Sequence, residues 1–280
     1  MHDLTRRGLL MGGLGVAGAG VGTQTADALR ADVRQALDAS IRATCRGTKT
    51  SVQVLDHRTG AHYGYRSTWQ NNTASIVKVL LVAGVLRKVR ARGRPLTAGE
   101  KEMCRLAIVI SDNTSASACY RFIGGDAGIR ATAKAFGLSG TKPATGYGWG
   151  RTWTTALDQR KLIAALHGGS AAIHKDDRAY LWNLMGKTDP GQSWGVGIVR
   201  SATTAVHMKN GWVPLSDDNL WRVNSIGHVK GDGRDYTLTI LGGSLATMDA
   251  GVNRANTISK NVYSLLGTGV LRADVGSALR

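Results

Sequence analysis

Acidic residues are scarce in this chain, with 19 Asp and Glu against 36 Lys and Arg in 280 residues and a formal net charge of +17. Such an imbalance spreads a positive field over the surface and favours an anionic neighbour. Nucleic acid is a poor candidate for that neighbour. Aromatic side chains make up only 6% of the chain, which leaves little for base stacking, and neither a zinc-finger spacing nor an aromatic and basic RNA-binding signature occurs. An anionic cell-envelope polymer fits the charge better. Cysteine is also sparse: Cys45, Cys104 and Cys119 allow one disulfide with a spare thiol, or three small buried hydrophobes, and their spacing does not choose. No Cys-x-x-Cys or His-Glu-x-x-His pattern exists and the seven histidines are scattered singly, so the sequence predicts no metal. A formal dinucleotide fingerprint, Gly13-Leu14-Gly15-Val16-Ala17-Gly18, has no strand before it and is rejected, and no cofactor is expected.

The N-terminus carries compartment information. Thr5-Arg6-Arg7 precedes an apolar, glycine-rich stretch from Gly8 to Gly22, and Ala26-Asp27-Ala28 offers small residues around a cleavage point before Leu29. The pattern resembles a twin-arginine export signal over residues 1–28. Fifteen glycine-rich residues fall short of a bilayer's thickness, so no membrane span is expected once the signal is gone, and residues 29–280 read as an exported, extracytoplasmic monomer. The mature chain keeps +17, because Asp3, Asp27, Arg6 and Arg7 cancel.

At 42% hydrophobic residues, the chain can bury one substantial core or two closely associated lobes. Apolar spacing predicts a first helix over Ala31 to Ala43, then strands Ser51 to Leu55 and Ala61 to Tyr65 around a hairpin loop at Asp56 to Gly60. Helical patterns fill the middle: Ser75–Arg90, Thr97–Ile110, Ser115–Phe122, Asp126–Phe136, Thr155–His167 and Asp176–Met185. Strands return at Ala205–Lys209, Trp221–Ile226 and Tyr236–Leu241, followed by a helix over Val252–Leu266. This order implies an α+β protein with one antiparallel sheet of five strands drawn from both ends of the chain (about 29–72 and 203–280) and a helical insertion (about 73–202). A cleft between two such lobes is a usual place for a small-molecule site.

Ser75-Ile76-Val77-Lys78 opens an amphipathic helix and puts a hydroxyl and an amine on one face. A serine hydroxyl needs an adjacent base, and a lysine serves once desolvation or neighbouring cations lower its pKa. Alone the motif is weak, since Ser139-Gly140-Thr141-Lys142 repeats it in an expected loop. Context comes from Ser111-Asp112-Asn113 between two helices and from Lys209-Asn210-Gly211 at a strand end. In isolation these read as a cap cluster and an ordinary turn.

In this order the three elements resemble the signatures of class A β-lactamases and penicillin-binding proteins, as does Leu106 to Ile110 before Ser111. The resemblance spans roughly Asp56 to Leu241 and implies a three-layer α/β/α fold and an acyl-enzyme at Ser75 with Lys78 as its base. It further implies a proton relay through Ser111, carboxylate binding at Lys209, and contacts to the acyl group from Asn113, Asn210, Gly211 and Trp212. The backbone N–H groups of Ser75 and Trp212 would form the oxyanion hole, while Asp112 reads as a helix cap. The implied substrate is a β-lactam or a cell-wall peptide or ester of the D-Ala type.

The sequence departs from that pattern in four respects. Only 36 residues separate Ser75 from Ser111, Asn210 replaces the usual Thr or Ser, and Trp212 follows. The segment Lys142 to Trp153 contains no carboxylate where class A enzymes carry an Ω-loop Glu, and Asp126 and Asp158 stand elsewhere. The expected activity is therefore acylation with impaired or non-standard deacylation. The alternative is a non-catalytic cell-wall-binding protein that retains the fold.

Overall fold

A computed structural model describes residues 21–271, with side chains from residue 33 onward. The twin-arginine pair and the glycine fingerprint lie outside the described residues. Helix α1 (Val21–Cys45) begins ahead of the cleavage point expected after Ala28 and contains the first helix expected from the sequence. Strands β1 (Lys49–Asp56) and β2 (His62–Tyr65) follow, then a two-residue strand β3 (Asn71–Asn72) and a 3-10 turn at Ala74–Ile76.

The helical block comprises α2 (Val77–Ala91), α3 (Ala98–Val109), α4 (Asn113–Ile123), α5 (Gly125–Ala135), α6 (Ala156–Gly168) and α7 (Lys175–Gly186), with β4 (Trp153–Thr154) pairing to β3. Its boundaries have local causes. Thr97 and Glu100 form a reciprocal capping box at α3, Asp112 accepts the Ser115 N–H at the start of α4, and Gly124 (φ 96°) ends α4 in the left-handed region. Helix α2 is apolar nearly all round and is enclosed by α3, α4, α5 and α7, with 11 of its 15 residues buried.

The last third supplies β5 (Thr204–Pro214), β6 (Trp221–Gly231), β7 (Arg234–Leu245) and α8 (Met248–Thr268). The five long strands form one antiparallel sheet in the order β2-β1-β7-β6-β5, with α1 and α8 on one face and α6 and the rest of the helical block on the other. The fold is the three-layer α+β arrangement expected.

Two cores follow from the layers. Val52, Val54, Val206, Met208, Leu238 and Ile240 pack toward α1 and α8, while Ile226 and Leu241 join the core of the helical block. The strand expected to stop at Lys209 instead continues to Pro214, because β6 pairs with it residue for residue as far as Pro214 opposite Trp221. Asn210, Gly211 and Trp212 therefore lie within a strand and alternate between the two faces of the sheet. Among the described residues all three cysteines are free and buried.

Candidate active site

Ser75 sits in the 3-10 turn that leads into α2, and the turn is held from three sides. Asn224 on β6 donates its amide to the carbonyls of Asn72 and Thr73, both at 2.9 Å. Asn72 in turn donates to the Arg151 carbonyl at 2.9 Å, and the Thr73 N–H donates to the Thr152 carbonyl at 2.8 Å. On the third side Gly211 approaches so closely that a Cβ there would lie 2.6 Å from the Ser75 nitrogen. Only glycine fits that contact. It sets the β5 backbone beside the Ser75 N–H, the arrangement an oxyanion hole requires. Ala74, immediately before Ser75, has φ 45°, and Ser111 has φ 61°. Both are non-glycine residues in the left-handed region, one just ahead of α2 and the other at the α3–α4 junction.

Lys78 is fully buried, yet its ammonium is not unpartnered. It donates to the Ser111 carbonyl at 2.5 Å, to Ser111 Oγ at 3.1 Å and to Asn113 Oδ1 at 2.8 Å. The Trp149 ring centroid lies 5.0 Å from Nζ, and the indole N–H donates to Ser117 Oγ at 3.1 Å. Desolvation lowers the Lys78 pKa to about 8, against the opposing pull of the Asp112 carboxylate. All three ammonium protons are used by Ser111 and Asn113, and the Ser75 hydroxyl accepts none. Loss of one proton leaves the amine a lone pair and two N–H donors, in the first turn of α2 and three residues on from Ser75 in the 3-10 turn.

Lys209 is also fully buried, donates only to its neighbour's carbonyl at Asn210 (3.0 Å), and has its pKa pushed well down by desolvation and by the Lys78 charge. Ser75, Lys78, Ser111, Asn113, Lys209 and Gly211 thus gather where α2, the α3–α4 junction and β5 meet.

Two expected contact residues go elsewhere. Asn210 is buried on the opposite face of the sheet, where its amide donates to the carbonyls of Gln192 (2.7 Å) and Trp194 (3.0 Å). Trp212 lies on that face too, edge-on to Trp194 at 5.9 Å. The physical reason is strand alternation: with Lys209 and Gly211 facing the helical block, their neighbours cannot.

The acidic residues behave as structural groups. Asp158 is buried, accepting from Gly140 N and Thr141 Oγ1, and Asp126 accepts from the Tyr120 hydroxyl. The place above Lys78 is filled by the indole of Trp149, which its position in a carboxylate-free segment did not predict. Asn224 was also missed, and no local signal marks it, since its role depends on β6 facing residues more than 150 positions away.

Comparison with known proteins agrees with this geometry. The model of the Beta-lactamase enzyme family matches residues 96–266, well over half of the chain. The chain belongs to that family. The match takes in Ser111 to Asn113 and Lys209 to Gly211 and begins after Lys78. Proteins provisionally named lipoprotein LppW from Mycobacterium tuberculosis and Mycobacterium bovis are 29% identical over 244 residues, covering 85% of this chain and 74% of theirs. This family member also superposes on a class A β-lactamase from Bacteroides cellulosilyticus (TM-score 0.73, 17% identity, 84% of this chain and 99% of that one). A β-lactamase from Xanthomonas campestris gives a TM-score of 0.71 at 20% identity, again over 84% of this chain and 99% of its own. At these identities the two structures speak for the fold.

The donors near Ser75 are amines, hydroxyls and amides rather than metal ligands. The group able to hold a metal ion among the described residues lies elsewhere, at His57, His167, His228 and Asp235. Burial lowers the pKa of all three imidazoles, that of His228 to about 3.

Proposed function

We propose that the protein is a serine hydrolase that forms an acyl-enzyme at Ser75 with a β-lactam or a D-Ala-type peptide or ester, and releases it slowly. The observation that carries this reading is the buried Lys78 amine, poised near pKa 8 between Ser111 and Asn113 and one helical turn from Ser75. Neutral Lys78 takes the Ser75 proton as the hydroxyl attacks the carbonyl carbon. The oxyanion develops against the Ser75 and Trp212 N–H groups, and a proton passes by way of Ser111 to the leaving nitrogen. Lys209, buried beneath the site with its pKa pushed well down, offers N–H donors to a substrate carboxylate. No carboxylate faces Lys78 from the Lys142–Trp153 segment, so the water that cleaves the ester lacks the general base that is typically worth about 10² to 10⁴ in rate.

Export to the cell envelope is part of this reading. It is supported by the twin-arginine pattern and by the lipoprotein name of the mycobacterial relatives. Among the described residues no helix is long and apolar enough to cross a membrane.

A second reading, a wall-binding protein without turnover, draws on the hydrogen bonds that occupy Lys78 and on the indole above it. Intact-protein mass spectrometry over time with a penicillin and a D-Ala-D-Ala ester separates the two. The hydrolase adds the ligand's mass to Ser75 and loses it over hours. A wild-type protein that takes up no mass, or a Ser75→Ala protein that labels equally, rejects it.

A further inference from the structure

Four of the seven histidines come together on the sheet face that carries Lys209, one ladder row further along. His207 on β5 is paired opposite His228 on β6, and the ring of His167, from the last turn of α6, stacks on His228 with centroids 3.9 Å apart. His57, just beyond β1, closes on His167 at 4.5 Å, and Trp182 stacks on His207 as an apolar wall. Asp235, near the start of β7, enters this group with one carboxylate oxygen 2.8 Å from His228 Nε2 and 3.6 Å from His167 Nε2. The donor atoms of His57, His167, His228 and Asp235 all lie within 4.8 Å of one another.

We infer that His57, His167, His228 and Asp235 form a zinc site that clasps the end of α6 and the β1–β2 turn to the β6–β7 hairpin. Three imidazoles and a carboxylate are the hard-to-intermediate N and O donors that zinc takes in a tetrahedron. Two donors each about 2.0 Å from a tetrahedral ion stand about 3.3 Å apart. The separations of 2.8 and 3.6 Å from Asp235 bracket that value. The widest pair must close by about 1.5 Å from its 4.8 Å limit, with the stacked rings of His167 and His228 fanning apart about the shared carboxylate. His167 at a helix end and His57 in a turn are placed to move.

Outer partners are present for His57 and Asp235. The Thr237 hydroxyl holds His57 Nε2 at 2.9 Å, leaving Nδ1 for the ion, and Lys230 holds the second Asp235 oxygen at 3.0 Å. The His228 Nδ1 atom is buried without a hydrogen-bond partner. Four protein donors fill the tetrahedron and leave no open position for water, which makes the site structural and separate from the Ser75 chemistry.

The test uses the full chain without a polyhistidine tag, stripped with chelator and dialysed against micromolar zinc. Metal analysis is expected to find one zinc per chain in the wild type and in His174→Ala, which removes an exposed histidine elsewhere, and none in His167→Ala or Asp235→Asn. Cobalt in the wild type is expected to give the intense visible bands of a four-coordinate ion, and a hundredfold excess of zinc over Kd to raise the melting midpoint by about 5 to 10 °C. The cobalt spectrum needs no variant and so is independent of any folding defect. Absence of bound zinc in the wild type, equal retention by His167→Ala, or a weak six-coordinate cobalt spectrum overturns the inference.

Discussion

The two faces of β5 differ in what their residues are for. The face toward the helical block carries His207, Lys209 and Gly211, a row of imidazole, amine and bare backbone directed at the helical block and Ser75. The opposite face carries Val206, Met208, Asn210 and Trp212, which pack against the 194–199 turn and the α1–α8 layer. One strand therefore turns Lys209 and Gly211 toward Ser75 and their neighbours Asn210 and Trp212 away from it, so proximity in sequence to Lys209 says nothing about reach to the site.

That contrast can be broken or sharpened by substitution. Ser75→Ala should abolish covalent labelling outright. On the same inner side, Gly211→Ala drives a Cβ to within 2.6 Å of the Ser75 nitrogen and should slow acylation by about 10² to 10³, the order of losing an oxyanion donor, as read by stopped-flow or quenched mass spectrometry. Acylation should also rise about tenfold between pH 7 and pH 9 with an inflection near 8. Lys78 acts only when neutral, and its neutral fraction grows from about a tenth to about nine-tenths over that interval. A flat profile would remove Lys78 from the role of base.

Smaller effects belong to the outer face. Asn210→Ala leaves the Gln192 carbonyl unpaired and removes one of the two donors to the Trp194 carbonyl, and should cost about 1 to 3 kcal/mol of stability in urea denaturation, with acylation within about threefold of wild type. Trp212→Phe keeps most of the edge contact with Trp194 and should cost less than about 1.5 kcal/mol. A rate loss at Asn210 as large as that at Gly211 would show that both faces serve the reaction.

Much of the architecture was legible beforehand. The period of 3.6 along α2 to α7 and the alternation in the five strands located these elements to within a few residues. The main misses were the ends of β5 and β6, expected at Lys209 and Ile226 but carried on by cross-strand pairing to Pro214 and Gly231. The site was legible where it is local. Ser75 and Lys78 share a helical turn, and Ser111 to Asn113 stand at a helix junction that the apolar run before them announces.

By itself, then, the sequence marked Ser75 and Lys78 as the candidate nucleophile and base and showed the helix-bounded Ser111 motif, the missing carboxylate and the strong positive charge, because each depends on composition or on spacing within one element. Tertiary structure alone decided that Trp149 covers Lys78, that Asn224 grips the Ser75 turn, that Asn210 faces away, and that histidines scattered from residue 57 to residue 228 share one cluster. Those outcomes follow from strand pairing and lobe packing, which bring together side chains as far apart as His57 and Thr237, 180 positions along the chain.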